Sequence, residues 1–93
     1  MNDRVTLIEQ RLRAALAPER LEIVDDSPGH AGHAGAREGG HFTVHLVSSA
    51  FAGKTPIQRH RLVNAAVADL MRREIHALSI RARTPDEARI PTL

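Results

Sequence analysis

The sequence predicts a small α/β fold of the α+β type, with elements in the order α-β-β-α-β-α. Three features support this: apolar residues at helical spacing near the start, strict alternation over residues 41–47, and two capping boxes that contain proline. A chain of 93 residues has the length of one domain, so we expect residues 1–93 to form it. The expected architecture is a three-stranded mixed sheet with helices packed on it.

The first helix and first strand are indicated by spacing and by turn residues. Asn2 or Asp3 can cap a helix, and Pro18 prevents its easy continuation. Residues 21–24 then predict a short strand, which leads into the turn formers of residues 25–28. The apolar face of this helix is Val5, Ile8, Leu12 and Leu16.

The second half of the chain repeats strand and helix. Apolar Phe42, Val44 and Leu46 alternate with polar residues, which is typical of a strand buried on one face. Thr55 and Thr84 each begin a capping box followed by proline, so each predicts a helix start. A third strand is predicted over residues 77–82. The residues expected to face the core from the helix that Thr55 opens are Leu62, Val63, Ala66, Val67, Leu70 and Met71.

Histidines surround the glycine-rich segment of residues 27–40, which lies between the first two strands. Five of the six glycines fall between positions 29 and 40, together with His30 and His33. The second and third strands are joined through a helix and should be parallel, so both begin at the same edge of the sheet. We therefore expect His76 to lie near this Gly/His loop, together with His41. Neutral imidazole binds iron, zinc, copper and nickel, although such a loop is often only an exposed connection.

Several blocks together resemble the BolA family, and the resemblance covers nearly the whole chain. The matching blocks are residues 51–54 (Phe-Ala-Gly-Lys), 58–63 (Gln-Arg-His-Arg-Leu-Val), 75–80 (Ile-His-Ala-Leu-Ser-Ile), 83–85 (Arg-Thr-Pro), and the loop 26–35 followed by His41 and Phe42.

The resemblance implies an α/β fold like a type II KH domain. It also implies a partner, a monothiol glutaredoxin with a Cys-Gly-Phe-Ser motif, with which a [2Fe–2S] cluster is shared and which brings glutathione. On the BolA side the implied ligands are His76 and one loop histidine, His30 or His33. Two histidines on one iron are tolerated, as in Rieske centres. The thiolates must come from the partner, because this chain has no cysteine. No cofactor is expected on the isolated chain, which we expect to be a monomer.

A DNA-binding transcriptional regulator is the alternative. Basic residues begin the helix that follows the turn at Gly53 and Lys54, and some members of the family are regarded as regulators. KH domains grip nucleic acid with a Gly-x-x-Gly turn between helices, but this turn lacks the second glycine. Phe42 and Phe51 are the only aromatics, and both are expected to be buried, so stacking platforms are missing. The candidate contacts are Gly53, Lys54, Arg59, His60 and Arg61.

Composition weighs against other classes of protein. No nucleophile motif, phosphate loop or metalloprotease motif is present, so we do not expect an enzyme. No apolar run approaches the ~18–20 residues that span a membrane, and the start does not resemble a signal peptide. The net charge of +2 is a weak argument for nucleic acid. The lack of cysteine fits a reducing compartment, and we expect a cytoplasmic location.

Overall fold

Helices and strands follow one another along the chain in the predicted order α-β-β-α-β-α. The computed structural model describes residues 3–26 and 40–89. The helices are α1 (Asp3–Leu16), α2 (Pro56–Ala66) and α3 (Pro85–Arg89), and the strands are β1 (Arg20–Asp25), β2 (Gly40–Val47) and β3 (Ile75–Arg83). The described residues also include two 3₁₀ turns, Ser49–Phe51 and Ala68–Leu70.

The three strands form one mixed sheet in the order β1-β2-β3. β1 pairs antiparallel with β2, and β2 pairs parallel with β3. The parallel pair is joined through α2, as the crossover argument requires. The predicted fold class and strand directions are therefore confirmed.

The sheet has an inner face, which packs against the helices, and an open face. Phe42, Val44 and Leu46 of β2 are buried, whereas His45 between them is exposed. On the inner face they meet α1, whose predicted apolar residues Ile8 and Leu12 are fully buried. Alternation along the strand thus assigns burial to one face only.

The capping box of α2 forms as predicted, but the helix ends earlier than predicted. The Thr55 hydroxyl accepts from the Gln58 backbone, and the Gln58 side chain accepts from the Thr55 backbone. After Ala66 the chain tightens into the 3₁₀ turn Ala68–Leu70, which keeps Leu70 in the core. The predicted core position of Met71 is wrong: its side chain is 38% exposed, because the 3₁₀ turn departs from α-helical spacing.

α3 lies beside β3 and buries none of its residues. Its own capping box forms, with the Thr84 backbone donating to the Glu87 carboxylate and the Glu87 backbone donating to the Thr84 hydroxyl. Among the residues that the structure describes, no helix has the length and apolar character required to cross a bilayer.

Candidate functional site

The first residues of β2 and β3 lie at one edge of the sheet. Gly40 pairs with Ile75, and the Gly40 backbone donates to the carbonyl of Glu74. Asp26, directly after β1, donates its backbone N–H to the carbonyl of His41. Both attachment points of segment 27–39 are therefore at the edge where β3 begins. The predicted position of His76 at this edge is confirmed.

A bulge in β3 determines which face of the sheet carries His76. Gly40 pairs with Ile75, but the next residue, His41, pairs with Ala77, so β3 has one extra residue at this point. Strict alternation back from Leu78 would put His76 on the inner face and Ile75 outside. With the bulge, Ile75 is buried in the core and His76 is exposed. Bulges often re-aim a side chain in this way.

His41 and His76 stack on each other. Their ring centroids are 5.2 Å apart, and the ring planes differ by 20°. The lone pairs of an imidazole lie in the ring plane, so two nearly parallel stacked rings do not direct nitrogens at one common point. The arrangement suits one histidine offering a nitrogen while the other supports its ring. We define these two residues as the histidine pair.

The histidine pair does not make a complete metal site. Within residues 3–26 and 40–89, no three side chains of the kinds that bind metals lie close enough together to hold an ion. A site built here therefore needs further ligands. The predicted loop ligands His30 and His33 lie outside the described residues, and their role stays a prediction.

The turn before α2 is the second predicted site. Gly53 has a φ of +74°, a conformation that favours glycine. Lys54, His60 and Arg61 are all exposed, so these three side chains are accessible from solvent. A Cβ at Gly53 would meet no atom within 4 Å beyond its two neighbours in the chain, so its backbone conformation is what favours glycine.

Arg59 is engaged inside the protein. Its Nη1 and Nη2 donate to the two carboxylate oxygens of Glu87 at 2.7 and 3.1 Å. Nε donates to the Lys54 carbonyl at 2.9 Å, and Nη1 also donates to the Ala82 carbonyl at 3.1 Å. Only 13% of this side chain is exposed. The arginine thus joins the turn, β3 and α3, and a phosphate would have to compete with Glu87 for it.

The same contacts change the acidity of Glu87. The hydrogen bond from Arg59 is the main cause that lowers the pKa of the Glu87 carboxyl to about 2, and the backbone N–H of Thr84 adds to it. The pair raises the pKa of Arg59 as well. The capping-box pattern predicts the contact with Thr84, but no pattern in the sequence indicates the partnership with Arg59, which is 28 residues away.

Comparison with known proteins identifies the family. The family model described as BolA-like protein matches residues 12–87. The chain is 49% identical over 82 residues to BolA-like protein 1 of Homo sapiens, which covers 88% of this chain and 58% of that protein. The chain thus spans little more than half the length of this relative.

Two further relatives match across most of the chain. The protein named DNA-binding transcriptional regulator BolA, from Vibrio cholerae, is 41% identical over 81 residues, which is 87% of this chain and 74% of that protein. The solved BolA domain of SufE1 from Arabidopsis thaliana superposes with a TM-score of 0.79 at 42% identity, covering 94% of this chain and 98% of that domain. With the match of residues 12–87, these likenesses show that the chain belongs to the BolA-like protein family.

Proposed function

We propose that this chain is an accessory protein that binds a monothiol glutaredoxin and shares a [2Fe–2S] cluster with it, in cluster trafficking or iron sensing. His76 would supply one nitrogen ligand to iron, and His30 or His33 would supply the other. The observation that carries this proposal is the bulge in β3, which leaves His76 exposed at the edge to which segment 27–39 is attached.

The chemistry of the available side chains supports a shared cluster. This chain has no cysteine, so it can offer nitrogen but not sulfur to iron. Iron–sulfur clusters are normally held by thiolates, and histidine replaces two of them in Rieske centres. A partner that brings thiolates complements a partner that brings imidazoles. The exposure of His76 leaves it accessible to a cluster held on another protein.

We assign His41 a positioning role in this proposal. Its ring stacks on that of His76 and limits the orientations which the exposed ring adopts. Residues that orient a metal ligand commonly tune the metal without touching it. The family likeness supports only the broader statement that the role is related to iron–sulfur clusters, since a solved BolA domain belongs to a protein named SufE1.

The test is to co-purify the chain anaerobically with a monothiol glutaredoxin, iron, sulfide and glutathione. Visible absorption and electron paramagnetic resonance then report the cluster. His76→Ala should change both spectra, because a nitrogen ligand to iron is lost. His41→Ala should produce a smaller change, because the ligand remains but its orientation is less restricted.

His45→Ala is the matched control, since this exposed histidine lies on the same strand as His41 but away from the edge. It should leave the spectra unchanged. Of His30→Ala and His33→Ala, one should alter the spectrum, and replacing both should make the mixed cluster more labile. If folded His76→Ala protein gives the wild-type spectrum, His76 is not a ligand and the site assignment fails.

A DNA-binding regulator is the second candidate, favoured by the name of the Vibrio cholerae relative. We infer that Lys54, His60 and Arg61 would contact phosphates, since all three are exposed next to the turn at Gly53. Arg59 would join them only if it left Glu87, with which it is paired.

Salt dependence separates this candidate from the first. Binding through phosphate contacts should weaken steeply with salt and show little sequence preference. Lys54→Gln and Arg61→Gln should each reduce the salt slope, whereas His76→Ala should leave it unchanged. Tight binding to one DNA sequence at physiological salt, lost in Lys54→Gln, would make DNA binding the leading function.

A further inference from the structure

The open face of the sheet carries a basic cluster at the end opposite the histidine pair. Arg20 of β1 and Arg83 of β3 are both register partners of Val47, so they flank it from the two sides. Arg81 lies two residues before Arg83 on the same strand and is the register partner of His45. We define Arg20, Arg81 and Arg83 as the arginine cluster.

The cluster surrounds a groove of about 470 Å³, whose lining includes all three arginines, His45 and Val47. This volume lies within the range of roughly 300–1,000 Å³ that is typical of small-molecule sites. Neighbouring strands lie ~4.8 Å apart, which puts the stems of Arg20 and Arg83 about 10 Å apart across Val47. Two long side chains at this separation can both bend toward one group above the valine.

The guanidinium groups of the cluster are free to bind a ligand. All three side chains are exposed, and none makes an ion pair or side-chain hydrogen bond with any residue in the ranges 3–26 and 40–89. Arg11, Arg13, Arg59 and Arg89, by contrast, are each paired with a carboxylate. Three arginines and one carboxylate, Glu22, line the groove, which leaves an excess of positive charge, so an anion in the groove would be stabilised there.

We propose that the arginine cluster binds the phosphate group of a small organic phosphate, whose body lies in the groove over Val47. Guanidinium groups recognise phosphate through pairs of parallel N–H···O bonds, and a phosphate monoester has three terminal oxygens to accept them. Glu22, the register partner of His45 in β1, lines the same groove and partly opposes the anion.

The charge pattern favours a single phosphate group over a nucleic acid strand. A strand needs a basic track along its backbone and, for single strands, aromatic platforms on which bases stack. Here the three arginines lie at one end of the face, and the other end carries a carboxylate, Asp26, which is hydrogen bonded to Thr43. Both phenylalanines are buried and cannot stack on a base. This proposal does not rest on the proposed [2Fe–2S] cluster, because the arginine cluster lies at the end of the sheet opposite the histidine pair.

The test uses adenosine monophosphate as the probe and nuclear magnetic resonance of the whole ¹⁵N-labelled chain in phosphate-free buffer. Adenosine monophosphate should shift the backbone amides of Arg20, Val47, Arg81 and Arg83. Adenosine should not shift them, because it lacks the phosphate. Inorganic phosphate should shift the same amides but bind more weakly, because it has no organic body.

Charge variants decide the assignment in two directions. Arg83→Gln should weaken the binding of adenosine monophosphate about tenfold, the usual effect of losing one charge-assisted hydrogen bond. Glu22→Gln should strengthen it, a gain that misfolding cannot produce. Arg72→Gln is the matched control: Arg72 is also exposed but lies outside the groove, and this variant should bind as the wild type does.

Three results would overturn the proposal. The first is an Arg83→Gln protein that binds adenosine monophosphate as well as Arg72→Gln does. The second is equal affinity for inorganic phosphate and adenosine monophosphate, which would remove the role of the organic body. The third is a short DNA duplex or a polyglutamate peptide that binds the arginine cluster far more tightly than adenosine monophosphate at the same salt.

Discussion

The two faces of β2 have different roles, one in the core and one in the proposed binding surfaces, although their residues alternate along a single strand. Phe42, Val44 and Leu46 face the helices and are at most 2% exposed. His41 and His45 face away from the described helices, and each belongs to one of the surfaces proposed to bind a partner or ligand. The inner face supplies burial of apolar area, which is the main source of stability in a domain of this size.

The difference between the faces shows how a small domain can offer binding sites without weakening its core. In a strand, a side chain on the open face can change with little effect on packing, because its neighbours in sequence point the other way. The bulge at His76 extends this separation to β3, since it buries Ile75 while exposing the histidine beside it. Stability and binding should therefore respond to different substitutions.

The largest expected effect is on the inner face. Phe42→Ala should lower the free energy of unfolding by about 3–5 kcal/mol, because it removes a buried ring and leaves a cavity. His45→Ala, three residues later on the open face, should change it by less than about 0.5 kcal/mol. Urea unfolding followed by circular dichroism measures both. Similar losses of unfolding free energy in the two variants would contradict the conclusion that only the inner face stabilises the fold.

An effect on stability smaller than that of Phe42→Ala is expected at Arg59, whose hydrogen bonds join α3 to β3. The pKa of Glu87 falls from its ordinary 4.5 to about 2 in the folded protein. A carboxyl with a depressed pKa stabilises the fold above its unfolded pKa, and this stabilisation is lost as pH falls from about 4.5 toward 2. Glu87→Gln should therefore be less stable than the wild type at neutral pH, and the difference should shrink through that window.

Urea midpoints measured from pH 7 to pH 2 test this. Asp86→Asn is the matched control, because Asp86 precedes Glu87 in α3 and pairs with Arg89 while remaining 93% exposed. It should show no comparable narrowing over the same pH range, since surface ion pairs contribute little. A constant gap between wild type and Glu87→Gln down to pH 2 would show that the negative charge of Glu87 does not stabilise the fold.

The alternation of β2 and the two capping boxes could be predicted from sequence because each depends on residues close together in the chain. The parallel pairing of β2 and β3 was also predictable, because a helix between two strands imposes it. These features are enough to predict that His76 lies at the edge of the sheet where β2 begins. The family likeness of residues 12–87 is likewise a property of sequence.

Features that depend on distant contacts could not be predicted in this way. The sequence pattern predicts Arg59 as a candidate phosphate contact, because nothing local reveals that α3 brings Glu87 back to it. The stack of His41 on His76 depends on the bulge. Its trace in the sequence is an irregular interval between apolar residues: Ile75 and Leu78 are three apart, whereas residues on one face of a regular strand are an even number apart. Helical spacing places Met71 in the core, but a 3₁₀ turn interrupts the helical period before it.

The smallest expected effect on stability is that of His76→Ala, and it is the one on which the functional test depends. His76 is exposed, and the bulge is defined by the register of its neighbours, with Ile75 buried on one side of it. Removal of the ring should change the free energy of unfolding by less than about 0.5 kcal/mol. Urea unfolding of His76→Ala and His45→Ala should therefore give nearly equal midpoints. A loss of more than about 1 kcal/mol in His76→Ala alone would mean that the ring maintains the bulge, and a changed cluster spectrum could then no longer be assigned to a lost ligand.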